Sequence, residues 1–222
     1  MKMLLFPILT LSLMAGADAT PQNPTKMEAI RLPAPKMEKG MPLMEALKKR
    51  KSERSYAEKK LSLQQLSELL WAANGVNRDD GRRTAPAAVN KQAVDLYVVL
   101  SEGVYLYDAQ ANRLDPVKAG DYRTATGSQD FVKTAPVALV FVADLGKLKD
   151  LPERARNLDE ETKIRWALVS AGCQSQNVSL YCASEGLGTV VRGSIDAKTF
   201  ADAVGLRPDQ KVLFAQTVGV PK

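Results

Sequence analysis

Two arginines and a serine at alternate positions form the first segment of the sequence that could do chemistry. Arg50, Ser52 and Arg54 place two guanidiniums and a hydroxyl within five residues. A bound phosphate group needs forked cations and short hydroxyl donors, so this spacing is consistent with phosphate recognition. On composition alone, a solvated basic run at the end of a helix is the simpler explanation.

Two further segments combine restrained backbone with groups that could contact a ligand. The loop Thr84–Gln92 contains Pro86 and carries amides at Asn90 and Gln92, which can read the edge of a heteroaromatic ring. The segment Glu185–Ser194 is rich in glycine, which lets backbone N–H groups approach a ligand closely. The alternatives are local, because loop asparagines often cap turns and Gly-x-Gly after a helix often serves only as its C-cap.

The residue counts limit the chemistry that these segments could support. The sequence contains no histidine, which excludes Ser-His-Asp triads, Cys-His pairs and His-ligated metals. Two cysteines are too few for a Cys₄ zinc site or for an iron–sulfur cluster held by one chain. Cys173 and Cys182 stand about 13 Å apart along one predicted helix, so we expect no disulfide between them. Any catalysis must therefore use carboxylates, amines, hydroxyls or an organic cofactor.

A set of helices and strands must position the three segments. Ser62 and Gln65 form a capping box that predicts a helix ending at Asn74, and a shorter helix is predicted to begin at Pro42. The longest helical pattern covers residues 159–185, and its apolar and small residues nearly all round predict burial on several sides. Branched and aromatic residues predict strands over residues 95–100, 104–107, 137–143, 189–191 and 212–220. We expect loops over residues 76–94 and 109–134, the second of which could lie over a site.

The first 40 residues differ in composition from the rest of the chain. An early cation, an apolar run of about 12 residues and small residues up to Ala19 predict a signal peptide over residues 1–19. The apolar run is shorter than the roughly 20 residues of a membrane span, so we expect no membrane anchor. We therefore expect an exported, periplasmic protein that starts at Thr20. A proline-rich arm would cover residues 20–40 and a single domain residues 41–222.

The order of the three segments resembles the nitroreductase family of flavin enzymes, and within it the SagB-type dehydrogenase branch. The resemblance covers residues 41–222. The family's opening R-x-S-x-R is matched by Arg50–Arg54, and its P-S-S-x-N-x-Q loop by residues 86–92 with alanines in place of the serines. The family's central helix ends in a pattern like Q-N-x-x-L-x-A-x-x-L-G-L-G-T, to which residues 176–189 are similar. Residues 120–136 resemble the middle region of the branch.

This resemblance implies an α+β fold in which helices flank a central, mostly antiparallel sheet. It also implies an intertwined homodimer that binds FMN non-covalently. The residues that would hold the phosphate and the ribityl chain are Arg50, Lys51, Ser52 and Arg54.

The remaining contacts that the resemblance implies come from three other places in the chain. Asn90, with Gln92 nearby, would contact the ring or the ribityl hydroxyls. Backbone N–H groups of Gly193 and Ser194 would face flavin N5, and Lys222 would replace the family's C-terminal phosphate contacts. Hydride would enter and leave at N5 in two half-reactions of a ping-pong mechanism. NAD(P)H is the candidate reductant, and the substrate would be a small organic molecule.

Two other classes of function stay open from the sequence. One is a non-catalytic flavin- or ligand-binding protein that keeps the fold without turnover. The other is a basic polyanion-binding protein, which the net charge of +6 suggests. The basic residues are dispersed outside residues 48–60 and are not interleaved with aromatic residues, so we expect no nucleic-acid partner.

Overall fold

Seven strands form one central sheet in the protein, which a computed structural model describes over residues 27–222 apart from the side chain of Arg154. The strand order is β1-β4-β3-β2-β5-β7-β6, and the neighbouring strands pair antiparallel. The strands are β1 (Ile30–Arg31), β2 (Val94–Val99), β3 (Gly103–Asp108), β4 (Arg113–Ala119), β5 (Val137–Asp144), β6 (Gly188–Arg192) and β7 (Gln210–Gly219).

Five α-helices of the described residues pack on this sheet. They are α1 (Leu43–Lys49), α2 (Leu63–Asn74), α3 (Asp130–Thr134), α4 (Glu160–Ser184) and α5 (Ala197–Val204). α2 begins with the predicted capping box, in which Ser62 and Gln65 exchange side-chain and backbone hydrogen bonds. α4 begins where the Asp159 carboxylate accepts a hydrogen bond of 2.7 Å from the Thr162 backbone N–H.

The core lies on both faces of the sheet, which explains the continuous apolar run of β5. All eight residues of β5 are buried, as expected for a strand that is covered on both sides. On one face, residues such as Leu69 of α2 and Val178 of α4 pack against the sheet. On the other face, Phe200 and Val204 of α5 do so. The predicted α+β fold with an antiparallel sheet and flanking helices is therefore confirmed.

One expectation about local structure is wrong, and one helix has no counterpart in the sequence prediction. Residues 109–134 are not one loop, because β4 and α3 lie within them. α5 was not predicted at all. The described part of the N-terminal arm also joins the sheet, since Ile30 and Arg31 of β1 pair with β4 and Leu32 is buried.

The cysteines and the N-terminus complete the comparison with the sequence. Cys173 and Cys182 are both free thiols, as predicted, and burial raises the pKa of Cys182. The predicted signal peptide and its cleavage after Ala19 lie outside the described residues. Within residues 27–222, no helix is long and apolar enough to cross a membrane.

Candidate functional site

The basic segment, defined as residues 50–56, is held between β6 and the C-terminus. Ser52 pairs in parallel with Thr189 of β6, and the next N–H, that of Glu53, donates 2.9 Å to the Thr189 carbonyl. At the other end, the Lys222 N–H donates 3.2 Å to the Ser55 carbonyl. Three regions that are far apart in the sequence therefore meet at one edge of the sheet.

Glu53 and Gly188 determine the path of the basic segment at this edge. The Glu53 carboxylate accepts hydrogen bonds from the backbone N–H groups of Arg54 and Ser55 at 2.9 and 3.1 Å. These bonds lower the pKa of Glu53 below its usual value, because they favour the ionised form. A Cβ atom on Gly188 would lie 2.7 Å from Cγ of Glu53, so glycine is required for this approach.

Three cations of this edge face solvent and make no ion pair among residues 27–222. Arg50, Arg54 and Lys222 are exposed, and among residues 27–222 no carboxylate lies within 4 Å of their charged groups. Lys51 is placed differently, since its Nζ lies 3.3 Å from the Glu53 carboxylate. Lys51 and Glu53 line a cavity of about 160 Å³. Arg50, Arg54 and the exposed Ser52, at the alternate positions of the segment, do not line that cavity.

Gly193 and Ser194 follow directly after β6, the strand that Ser52 pairs with. Both are exposed, and Gln129 donates a side-chain hydrogen bond to Ser194 Oγ. A Cβ atom on Gly193 would meet no described atom within 4 Å, and the φ of Gly193 is not in the left-handed region. Within the part of the chain that the structure describes, neither packing nor backbone conformation therefore requires glycine at this position.

Arg192, which the sequence reasoning missed, is a buried cation beside Gly193. Its side chain is only 4% exposed, and Nε and Nη2 donate to the hydroxyls of Thr217 and Thr126 at 3.0 and 3.2 Å. Nη1 donates to the Thr126 carbonyl. Burial lowers the pKa of Arg192 below its usual value. Arg192 thus fastens the segment that carries Gln129 to the sheet, and an arginine within an apolar strand is the signal that could have revealed it.

Asn90 and Gln92 line a separate cleft. The Gln92 amide donates 3.0 Å to Asn90 Oδ1, and both residues face a cavity of about 550 Å³. This cavity shares no lining residue with the one beside Lys51. Three arginines that the sequence reasoning also missed contribute to its wall: Arg78, Arg82 and Arg83. For Arg82 and Arg83 the signal was an arginine pair immediately before the proline-fixed loop.

Positions along helix α4 give the distance, within one chain, between the loop that carries Asn90 and Gln92 and the basic segment. Residues 88–91 lie beside Trp166 and Ser170 of α4, whereas residues 51–53 lie beside Ser179 and Ala183. These two places differ by on the order of 13 residues, or about 20 Å along the helix axis. One chain therefore does not bring Asn90 and Gln92 to the basic segment.

Comparisons with known proteins identify what this architecture is similar to. Residues 47–220 match the model of the Nitroreductase family. A protein of Methanocaldococcus jannaschii that is named as a nitroreductase is 32% identical over 162 residues, which cover 68% of this chain and 78% of the relative. The crystal structure of a protein of Ralstonia eutropha JMP134, also named as a nitroreductase, is 42% identical with a TM-score of 0.81. That match covers 89% of this chain and 91% of the other.

A more distant structure has the same fold. The NADPH:FMN oxidoreductase of Vibrio harveyi, solved in complex with NAD⁺, matches with a TM-score of 0.60 at 21% identity over 81% of this chain and 69% of that chain. The family model covers most of the chain, and the fold agrees with the crystal structure of the relative that is 42% identical. The chain therefore belongs to the nitroreductase family, a family of oxidoreductases.

Proposed function

We propose that this protein is an FMN-dependent oxidoreductase of the SagB-type dehydrogenase-like branch. The observation that carries the proposal is the cluster of exposed cations at one edge of the sheet. Arg50, Arg54 and Lys222 come from opposite ends of the domain and have no carboxylate within 4 Å among residues 27–222. Cations that make no ion pair among residues 27–222, on segments that backbone hydrogen bonds hold together, suit a phosphate dianion, and Ser52 adds a hydroxyl donor.

The glycine after β6 supports the same assignment. Since no contact among residues 27–222 requires glycine at position 193, its bare backbone is available to a ligand. In the proposal, the N–H groups of Gly193 and Ser194 face the flavin ring, and Gln129 orients Ser194. FMN would supply hydride transfer at N5, with donor and acceptor taking turns in a ping-pong order. NAD(P)H is the proposed donor and a small organic molecule the acceptor.

We further propose that the site is completed in a homodimer. Three exposed residues lie on one stripe of α4: Leu168 and Val169, which are 43% and 65% exposed, and Gly172. Glycine inside a helix costs about 1 kcal/mol relative to alanine, and a Cβ atom at position 172 would meet no atom of residues 27–222 within 4 Å. Close approach of a second copy accounts for both features.

A two-fold axis that crosses the exposed face of α4 midway between residues 168 and 180 would join the loop of Asn90 and Gln92 to the basic segment. Antiparallel packing about that point brings residue 168 of one copy opposite residue 180 of the other. The loop with Asn90 and Gln92 lies beside the part of α4 around residue 168, and the basic segment lies beside the part around residue 180. Each flavin site would thus combine the basic segment of one copy with the amides of the other.

An absorption spectrum of the freshly purified mature protein is the direct test of flavin binding. We expect the visible bands of an oxidised flavin, released as FMN on denaturation, and bleaching of those bands by NADH or NADPH under anaerobic conditions. A colourless protein that does not take up added FMN would refute the proposal. Stable binding without reduction by any donor would instead favour a non-catalytic flavin-binding protein.

We also propose that the protein is exported to the periplasm. The composition of residues 1–19 is the support for this proposal. Mass spectrometry of the exported protein should give Thr20 as its first residue. An intact Met1 in a soluble cytoplasmic pool would contradict it.

A further inference from the structure

The turn between β6 and α5, residues 193–195, is held at its two ends. At the α5 end, the Asp196 carboxylate accepts hydrogen bonds from the Thr199 backbone N–H at 3.0 Å and from the Thr199 hydroxyl at 2.8 Å, which caps the helix. At the β6 end, the anchor is the side chain of Arg192. Between these anchors Gly193 is exposed and has no side chain that restricts its backbone. The orientation of the N–H groups in the turn therefore depends on how firmly the two ends are held.

The guanidinium of Arg192 joins β6 to two other parts of the fold. Its Nε donates 3.0 Å to the hydroxyl of Thr217 in β7, and its Nη2 donates 3.2 Å to the hydroxyl of Thr126. Its Nη1 donates to the Thr126 carbonyl. Both threonines are fully buried. Because the fork of a guanidinium is planar and rigid, these bonds fix the whole side chain, whereas the single ammonium group of a lysine could not span both threonines in the same way.

The backbone around Thr126 and Gly127 fits closely against Arg192. A Cβ atom on Gly127 would lie 2.0 Å from Nη1 of Arg192. The Gly127 backbone is extended, so the close approach and not the conformation requires glycine here. The Thr126 hydroxyl, which accepts from Arg192, also donates 2.7 Å to the Arg123 carbonyl and so closes the short turn before Gly127. Arg192 therefore cannot adopt another position without moving this turn.

The position of Arg192 is an unfavourable one for a cation. The side chain is 4% exposed and makes no ion pair among residues 27–222. Burial lowers the pKa of Arg192, because water no longer stabilises its charge. Val190 lies two residues earlier on the same face of the strand, and it shows that an apolar side chain is buried there without this cost. The placement therefore points to a role that needs the guanidinium itself.

We propose that Arg192 is a positioning residue for the flavin reaction. The inference rests on the proposed function, in which the N–H groups of Gly193 and Ser194 face the flavin ring. By fixing the end of β6 against Thr126 and Thr217, Arg192 sets the direction of these N–H groups before the ligand binds. Hydrogen-bond donors that are held in place stabilise developing charge far better than donors that must first reorient. Arg192 itself is buried and needs no contact with the ligand.

Backbone dynamics of the flavin-free protein test the positioning directly. Arg192→Lys keeps the charge and removes the fork. We expect the order parameter of the Gly193 N–H, measured by NMR relaxation, to fall from about 0.85 in the wild type to below about 0.6 in this variant. Thr217→Val keeps the shape of the side chain and removes one acceptor, so it should fold and change the order parameter in the same direction. Arg207→Lys is the matched control, since its fork spans two carboxylates ahead of β7, and it should leave Gly193 rigid.

Flavin reduction tests the consequence of the positioning. In the FMN-loaded protein, we expect Arg192→Lys to lower the rate of anaerobic reduction by NADH or NADPH about tenfold or more, as for the loss of a fixed donor. The affinity for FMN should change less than about threefold, because Arg50 and Arg54 still hold the phosphate. A residue that only maintained the fold would lower the rate, the affinity and the temperature of thermal unfolding together. Stopped flow measures the rate, and fluorescence titration measures the affinity.

The outcomes separate this inference from the flavin proposal. A mobile Gly193 in Arg192→Lys, together with slow reduction at normal FMN affinity, supports the positioning role. A rigid Gly193 or normal reduction in that variant would overturn it, and so would equal effects in Arg207→Lys. Uptake of no FMN by the wild-type protein would instead refute the proposed function, on which this inference rests.

Discussion

Arg54 lies in a backbone segment that is fixed on both sides, while its own guanidinium faces solvent. Replacing it with alanine removes one charge-assisted contact and leaves the hydrogen bonds around Glu53 intact. We expect Arg54→Ala to weaken FMN binding by about 1.5–3 kcal/mol, roughly 10- to 150-fold. Fluorescence titration of the flavin-free protein with FMN measures this. Arg31→Ala is the control, and full FMN occupancy of Arg54→Ala under dilution would contradict our placement of the phosphate.

Two substitutions at Ser194 distinguish the role of its backbone N–H in flavin reduction from that of its hydroxyl. Ser194→Ala removes the acceptor for Gln129 but keeps the backbone N–H, so most activity should remain. Ser194→Pro removes the N–H that we place beside the flavin and should abolish reduction by donor. Anaerobic bleaching of the flavin, followed by stopped flow, is the measurement. Equal loss in both variants would reveal a role for the hydroxyl, and normal reduction in the proline variant would move this segment away from the flavin.

The residues of the basic segment could be identified from the sequence, whereas the buried Arg192 could not. Arg50, Ser52 and Arg54 follow a regular spacing, so a pattern search along the chain can find them. Arg192 is one arginine after a branched run, and its importance comes from burial beside Thr126 and Thr217, which the chain brings together only on folding. Burial without an acidic neighbour is a property of the tertiary structure, and no local pattern encodes it.

At the scale of elements, segments with a clear cap, stop or apolar run were predictable, whereas β4, α3 and α5 were not. α4 was predicted to within a residue at each end, because 25 helical residues carry a clear cap and stop. β4 was missed because only Leu114 of its seven residues is buried, so the alternation of apolar and polar side chains that indicates a strand is weak. α5 was missed because it has eight residues, of which only Phe200 and Val204 are buried.

Substitutions of Gly172, on the exposed face of α4, test the proposed dimer. Gly172→Ala should stabilise an isolated helix by about 1 kcal/mol, since glycine is the poorer helix former. Gly172→Glu should fold normally, because a side chain there has open space within the chain, but should dissociate the proposed dimer. Sedimentation velocity at micromolar concentration distinguishes the two masses. Leu63→Glu, at an exposed leucine of α2, is the control and should leave the mass unchanged.

For the molecule as a whole, the distance along α4 between the Asn90 loop and the basic segment bears most directly on how two copies assemble. The sequence resemblance placed Asn90 and Arg54 at one ligand, whereas a single chain holds their segments about 20 Å apart along that helix. Which copy supplies each residue cannot be read from one sequence, because both arrangements use the same residues in the same order. A dimer that shares each site between two copies reconciles the resemblance with the structure.

Complementation between two variants tests this shared site. Arg54→Ala and Asn90→Ala, each purified alone, should both bind FMN poorly. When they are mixed and allowed to exchange subunits, a heterodimer carries both changes in one site and none in the other. Because half of randomly mixed dimers are heterodimers, about a quarter of all sites should regain normal affinity. FMN titration of the mixture, with each variant incubated alone as the control, measures this fraction. A site built within one chain would recover nothing, since every subunit would still carry one change.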